Sequence, residues 1–182
     1  GKEYITEPYF YPVNGIETLI TAISVPLYYE GKFVGTVGVD IALERMSNRI
    51  KDIKIFENGY ASLITGKGTV VGYPDLKVLG KNISKITKDE MMNTLPYKIT
   101  NNEINNIERI DERNGLMSEF ITIPFEIGES DVHWGLTLSA PVEEYLTDAI
   151  FIRWFAILAG FVSFVLIGGV IAYNTRILEN NL

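Results

Sequence analysis

The sequence predicts an α+β fold: antiparallel strand pairs running into helices, arranged as two tandem units and followed by one transmembrane helix. Three observations predict it. β-rich runs separated by Gly-containing turn signals recur between Glu17 and Val142. Helical spacing of apolar residues begins directly after two of these runs. A long uncharged apolar run lies near the C-terminal end.

The first strand pair is "ETLITAISVPLYYEGKFVGTVGVDI", Glu17 to Ile41, two β-rich runs around Glu30, Gly31 and Lys32. Pro26 lies inside the first run and predicts an edge position or the end of regular pairing, because proline has no N–H to give a neighbouring strand. From Ala42 to Phe56 the period changes: Leu43, Met46, Ile50 and Ile53 recur every three or four residues between charged ones. That spacing predicts an amphipathic helix leaving the strand. "NGYASLITGKGTVVGYP" gives a second hairpin around Gly66, Lys67 and Gly68, and "PDLKVLGKN" turns the chain. Ser84 to Arg113 is polar and rich in asparagine, with a short helix expected at Lys88 to Thr94 and a loop around "TNNEINN". Two further β runs, "GLMSEFITIPFEI" and "VHWGLTLSAPV", flank the turn signal "GESD". A helix is expected from Pro141 onward, since proline is tolerated in a first turn and Glu143 and Glu144 suit the positive end of the helix dipole.

The run "WFAILAGFVSFVLIGGVIAY", Trp154 to Tyr173, is 20 residues without a charge. At about 1.5 Å per residue it matches a hydrocarbon core of roughly 30 Å. Trp154 and Tyr173 close its ends, with Arg153 and Arg176 just outside, an arrangement that suits the headgroup level but leaves the positive-inside count balanced. Ala156 with Gly160, and Gly168 with Ala172, have the small-xxx-small spacing that lets helices approach closely, although glycine is common in membrane helices in any case.

Composition narrows the function. The chain has 182 residues, 47% of them hydrophobic, with a formal charge of -7 and no basic run. That argues against nucleic acid or an anionic membrane surface as partner. Without cysteine there is no disulfide framework, thiolate metal site or cysteine nucleophile. His133, the single histidine, stands in a β run with no partner at metal-ligand or catalytic spacing. "GKGTVVG" and "GTVGVD" lack the spacing of a phosphate loop. Glu103, Glu108, Asp111 and Glu112 read as a solvated face. No active site, cofactor or metal centre is expected.

One carboxylate is out of place. In "FVGTVGVDI", alternation puts Phe33, Val37, Val39 and Ile41 on one side with Gly35, large enough to fill a core. Val34, Thr36, Gly38 and Asp40 share the other, which becomes small and polar toward Asp40 as a pocket floor would. A buried carboxylate needs a cationic or hydrogen-bonding partner. Either Asp40 caps the following helix or pairs with a protein cation, or it receives a ligand. Tyr4, Tyr9 and Tyr11 crowd the opening segment beside Pro8 and Phe10, and their rings and hydroxyls suit a small polar or ammonium ligand. For Phe10 an aromatic core is the favoured reading.

"ITEPYF" followed by "LITAISVPLYYEGKFVGTVGVDIAL" resembles the membrane-distal module of double Cache sensor domains, as found in methyl-accepting chemotaxis proteins. "GYASLITGKGTVVGYPDLKVLGKNI" and "VHWGLTLSAPVEEYL" resemble the membrane-proximal module of that family. The resemblance covers nearly all of Tyr4 to Tyr173 and implies tandem PAS-like (Cache) modules: 1–56 the C-terminal part of the distal module, 57–148 the proximal module, 149–174 the transmembrane helix, and 175–182 the start of a cytoplasmic linker. In amino-acid-binding members, a Tyr of the "EPY" segment and the Asp of the "GVVGVDI" strand bind the ligand's ammonium; these positions fall on Tyr9 and Asp40. Tyr11, Thr36 and Gly38 are expected beside them. Carboxylate-binding positions, the sensor's long helix and a first transmembrane helix are expected before Gly1.

The function so implied is an extracytoplasmic sensor of a small molecule, an amino acid or another amine, in a homodimeric transmembrane chemoreceptor. It would act on a cytoplasmic kinase and coupling protein through modules beyond Leu182. Two alternatives stand beside it: the sensor of a membrane histidine kinase or cyclic-dinucleotide enzyme, and a membrane-anchored adhesion or structural module without a ligand. An enclosed pocket floored by Asp40 and walled by Tyr9 would favour the sensor, with one side expected open; a solid core there would favour the structural role.

Overall fold

In the computed structural model, residues 2–179 are described, with side chains omitted for 147–150 and 169–179. The expected linker residues 180–182 lie outside the described residues, as do the side chains of Tyr173 and Arg176. Residues Gly1–Val142 form one compact unit and Glu143–Leu182 a second.

The first unit holds two antiparallel sheets. The smaller contains β1 (Tyr4–Ile5), β2 (Tyr9–Val13), β3 (Ile16–Tyr29) and β4 (Lys32–Ala42). β3 is its spine: β4 lies along one edge, while β2 and then β1 share the other. Asn14 and Gly15, with φ of 51° and 80°, turn β2 into β3, and Glu30 and Gly31, with φ of 47° and 75°, turn β3 into β4. Such left-handed pairs match the twist of the flanking strands. Between β1 and β2, Thr6 holds the edge of β3: its amide donates to the Ala22 carbonyl at 2.9 Å, and its hydroxyl accepts from the Ala22 amide at 2.8 Å. Pro26 stands past the end of β1 pairing, opposite Thr36 of β4, where β3 has a single neighbour. The edge expectation for Pro26 is borne out.

Helix α1 (Glu44–Asp52) follows β4 and is shorter than the expected Ala42 to Phe56. Its span ends before β5 (Lys54–Ile55), and Phe56 sits in a turn at φ 55°. The larger sheet runs β5, β6 (Gly59–Thr65), β10 (His133–Pro141), β9 (Met117–Glu126), β8 (Asn105–Ile110), with β7 (Val70–Gly72) paired to β6. α2 (Glu90–Asn93) occupies the expected short helix, and α3 (Leu95–Thr100) follows it. Sequence reading placed neither α3 nor β8.

β6 is buried along its whole length because both faces are covered. Ile64 and Val70 join Ile83, Met92, Leu95 and Ile99 on the helix side. Leu63 and Val71, one residue out of phase, join Leu19, Leu43 and Trp134 on the other. Ser47 of α1 is tied in as well, its hydroxyl donating to the Leu43 and Val71 carbonyls.

β4 is the opposite case. Phe33, Val37, Val39 and Ile41 do not fill a core: they are 60%, 52%, 61% and 38% exposed, and Val34 on the other face is 61% exposed. Strand alternation identifies residues that share a face, but only a second layer buries them, and among the described residues none covers β4. Phe10 likewise is 53% exposed, its ring lying over Gly80 and Leu19 rather than inside a core.

β10 runs into α4 (Val142–Glu179) with no intervening residue, after β10 ends at Pro141. The 38-residue helix is long and apolar enough to cross a membrane, and its described side chains from Phe151 to Gly168 are all exposed.

Candidate functional site

The five expected binding residues fall on one face of the smaller sheet. Asp40 is opposite Ala22, Gly38 opposite Ser24 and Thr36 opposite Pro26 across the β3–β4 pair. Tyr9 is opposite Ile20 and Tyr11 opposite Thr18 across the β2–β3 pair. Directly paired residues share a face and the face repeats every second residue, so Ile20 and Ala22 bring all five to the same side. With one strand between them and two residues of offset, the Cα atoms of Tyr9 and Asp40 are roughly 12 Å apart from ideal sheet spacings.

That face is open. Tyr9 is 41% and Tyr11 52% exposed, and Thr36, Gly38 and Asp40 are exposed too. Both protein-partner readings of Asp40 are absent from the structure. The N-cap of α1 is Leu43, with no side-chain cap bond, and the Asp40 carboxylate makes no hydrogen bond or ion pair among the described residues. A Cβ on Gly38 would stand 2.9 Å from the Ile23 carbonyl oxygen and 3.1 Å from the Ser24 Cβ. The close approach of β3 to β4 therefore requires glycine at this position. The arrangement is neither an enclosed pocket nor a solid core, but an exposed polar floor with an unpaired carboxylate and two tyrosines.

A second concave region, which sequence reading missed, lies on the helix side of the larger sheet. Asp111 is not part of a solvated face: it is 1% exposed at the end of β8. Its Oδ1 accepts from the Arg113 amide at 2.9 Å and from the Tyr60 hydroxyl at 3.5 Å. The Tyr60 and Tyr73 hydroxyls are 3.3 Å apart. Burial, with Tyr73 and Asp111 adding to it, holds the Tyr60 phenol well above the ordinary tyrosine range, and burial raises Tyr73 as well. Arg109, two residues before Asp111 on the same strand face, lies over the Phe120 ring at 4.4 Å and donates to Asp89 at 3.2 Å. The signal was available: Ile107, Arg109 and Asp111 alternate as one face of a strand.

Tandem antiparallel sheets with helices between their strands, and a last strand entering an apolar helix, define a PAS/Cache-type sensor fold. Comparison with known proteins agrees. Residues 1–48 match the family "Methyl-accepting chemotaxis protein-like, first PDC sensor domain". The chain is 32% identical over 81 residues to the methyl-accepting chemotaxis protein PscA of Pseudomonas syringae pv. tomato, covering 44% of this chain and 13% of PscA. It is 31% identical over 86 residues to PctB of Pseudomonas aeruginosa, covering 47% of this chain and 13% of PctB. The solved extracellular domain of the "putative histidine kinase mmHK1S-Z3" superposes with a TM-score of 0.70 at 26% identity, over 84% of this chain and 54% of that one. The chain thus has the PAS/Cache-type fold, and its residues 1–48 are similar to the first sensor domain of methyl-accepting chemotaxis proteins. It spans 13% of the length of those two curated relatives and about half of the solved sensor domain.

Proposed function

We propose that this chain is the C-terminal part of the extracytoplasmic sensor of a transmembrane, homodimeric chemoreceptor, together with the helix that carries its signal through the membrane. The smaller sheet belongs to the distal module, 1–56, and the larger sheet to the proximal module, 57–148, with its edge strand β5 (Lys54–Ile55) reaching back across that boundary; 149–174 span the bilayer and 175–182 begin the cytoplasmic linker. The ligand is a small amine, most simply an amino acid, whose ammonium is held by Asp40 and Tyr9, with Tyr11, Thr36 and Gly38 around it. The observation that carries this reading is the convergence of all five residues on one sheet face, exposed at each of them, with a carboxylate that no group among the described residues neutralises. Further chain, belonging to the same sensor, covers that face and supplies the ligand's carboxylate contacts. PctB supports the ligand class, since its ligand-binding domain has been solved with L-Arg. The signal passes through the strand-to-helix junction at Pro141 and Val142 to a cytoplasmic kinase and coupling protein.

The test is binding of a panel of L-amino acids to the native full-length protein and to its Asp40→Ala variant. Removing a charge-assisted contact of about 1.5–3 kcal/mol weakens binding roughly 10- to 150-fold. Undiminished affinity in the variant would overturn the site. A second output has its own support: the likeness to mmHK1S-Z3 favours a histidine kinase beyond the membrane helix, with the sensor unchanged. The sequence following Leu182 separates the two outputs.

A further inference from the structure

The larger sheet holds a cavity of its own. It measures about 50 Å³ and is walled by Tyr60, Tyr73, Met92, Arg109, Asp111 and Phe120. Most of its wall is apolar, yet two polar atoms at its lining are buried without partners: Oδ2 of Asp111 and Nε of Arg109. Every other demand on Asp111 is met locally. Oδ1 takes the Arg113 amide in the turn after β8, and the Asp111 amide donates to the Leu116 carbonyl at 2.8 Å. The turn therefore accounts for one carboxylate oxygen and leaves the other. Arg109 is similarly divided. One end of its guanidinium faces Asp89 and Glu112, while Nε–H has no acceptor. Buried orphans of this kind are uncommon and costly, so one open acceptor and one open donor at a single cavity call for an occupant with the reverse pattern.

We propose that this cavity is a second ligand site, in the module next to the apolar helix, and that it takes a small zwitterion: an ammonium donating to Asp111 Oδ2 and a carboxylate accepting from Arg109 Nε. Its size limits the occupant. With about 10–15 Å³ needed for each water-sized centre, the space holds roughly four such centres, which suits a molecule the size of glycine and excludes longer side chains. The Phe120 and Met92 walls surround the ligand's carbon, and the Tyr60 and Tyr73 hydroxyls lie beside its ammonium end. The site shares no residue with the Asp40 face and does not depend on it.

The experiment is calorimetric titration of glycine into the full chain in lipid nanodiscs, for the wild type and the Asp111→Asn, Ile86→Phe and Asp40→Ala variants. Ile86 lines the same cavity, is half-buried and carries no charge, so filling the space from that side leaves the Asp111 turn intact and guards against a variant that fails to fold. Saturable glycine binding is expected in the wild type, weakened tenfold or more by Asp111→Asn and by Ile86→Phe, and a component with that same dependence is expected to persist when the titrations are repeated in the Asp40→Ala background. Acetate and methylammonium, each offering one end only, are expected to bind at least tenfold more weakly than glycine. Absence of saturable glycine binding overturns the proposal, and so does acetate or methylammonium binding as tightly as glycine. Binding lost in Asp40→Ala but kept in both cavity variants overturns this site and leaves the Asp40 reading standing.

Discussion

The four-stranded sheet of β1–β4 and the six-stranded sheet of β5–β10 each deliver their last strand to a helix, β4 to α1 and β10 to α4, but they are covered very differently. In the larger sheet, β6 is buried from Gly59 to Thr65 between two apolar clusters. In the smaller sheet, β4 is exposed along both faces apart from a half-buried Gly35. The junction is the region of Leu19 and Leu43, which leave the smaller sheet to join Leu63, Val71 and Trp134 of the larger. The contrast separates two tasks. A sheet whose central strand β6 is covered on both faces is a packed base, whereas an uncovered polar face has no internal partner to displace when a ligand arrives.

The sharpest way to break this comparison is to remove apolar volume from the helix-side cluster that covers the larger sheet. Leu95 is fully buried in the helix-side cluster. Truncation to alanine at such a site costs about 2–5 kcal/mol, from lost transfer energy plus the cavity left behind. Urea unfolding of the full chain in nanodiscs, followed by tryptophan fluorescence, should show that loss for Leu95→Ala. A cost below about 1 kcal/mol would mean that the base is no better packed than the open sheet.

Much of the fold was legible because its signals are local. Glu30 with Gly31, and Gly66 with Gly68, marked two hairpins by their turn chemistry, and the change of period after Ile41 marked α1. Asn14-Gly15 carries an equally strong hairpin signal, but the strand before it, Tyr9–Val13, holds a proline and three aromatic residues and lacks the alternation that marks a strand. β8 escaped because its inward face is Ile107, Arg109 and Asp111. Hydropathy treats two of those three as solvent-facing, and the tertiary partners that bury them, Phe120, Tyr60 and Asp89, are remote in sequence. The candidate site was legible as a face, since alternation alone places Thr36, Gly38 and Asp40 together. Whether anything covers that face is set by packing, which a strand's own residues do not encode.

A smaller effect tests the base through its protons. Tyr60 and Tyr73 have phenol pKa values raised by burial, Tyr60 the more strongly. A group whose folded-state pKa is raised holds its proton longer in the folded chain than in the unfolded one. Its contribution is complete below the unfolded value of about 10 and is lost as pH rises above that. Up to about pH 10 these two tyrosines should add no slope to stability. Above it, each should remove up to about 1.4 kcal/mol per pH unit until the chain unfolds. Tyrosinate absorbance should show Tyr60 and Tyr73 ionising only with unfolding, and Tyr73→Phe should lower by one the number of tyrosines that do so. Ionisation of all ten tyrosines ahead of the unfolding transition would contradict the buried Tyr60–Tyr73 pair.

The smallest expected change is the most direct probe of the open sheet. Val39 is an apolar, β-branched residue in the middle of a strand, a position where a polar substitution ordinarily costs stability through lost burial. Here it is 61% exposed. Val39→Ser should therefore shift the urea unfolding free energy of the full chain by no more than about 0.5 kcal/mol, the range of surface substitutions. A loss of 2 kcal/mol or more would mean that a layer packs on this face. Repeating the substitution in the native full-length protein turns the comparison into a footprint: if added chain covers β4, Val39→Ser becomes costly there while the cost of Leu95→Ala stays the same. Equal, near-zero costs of Val39→Ser in both contexts would leave bare the face of β4 opposite to that of Asp40.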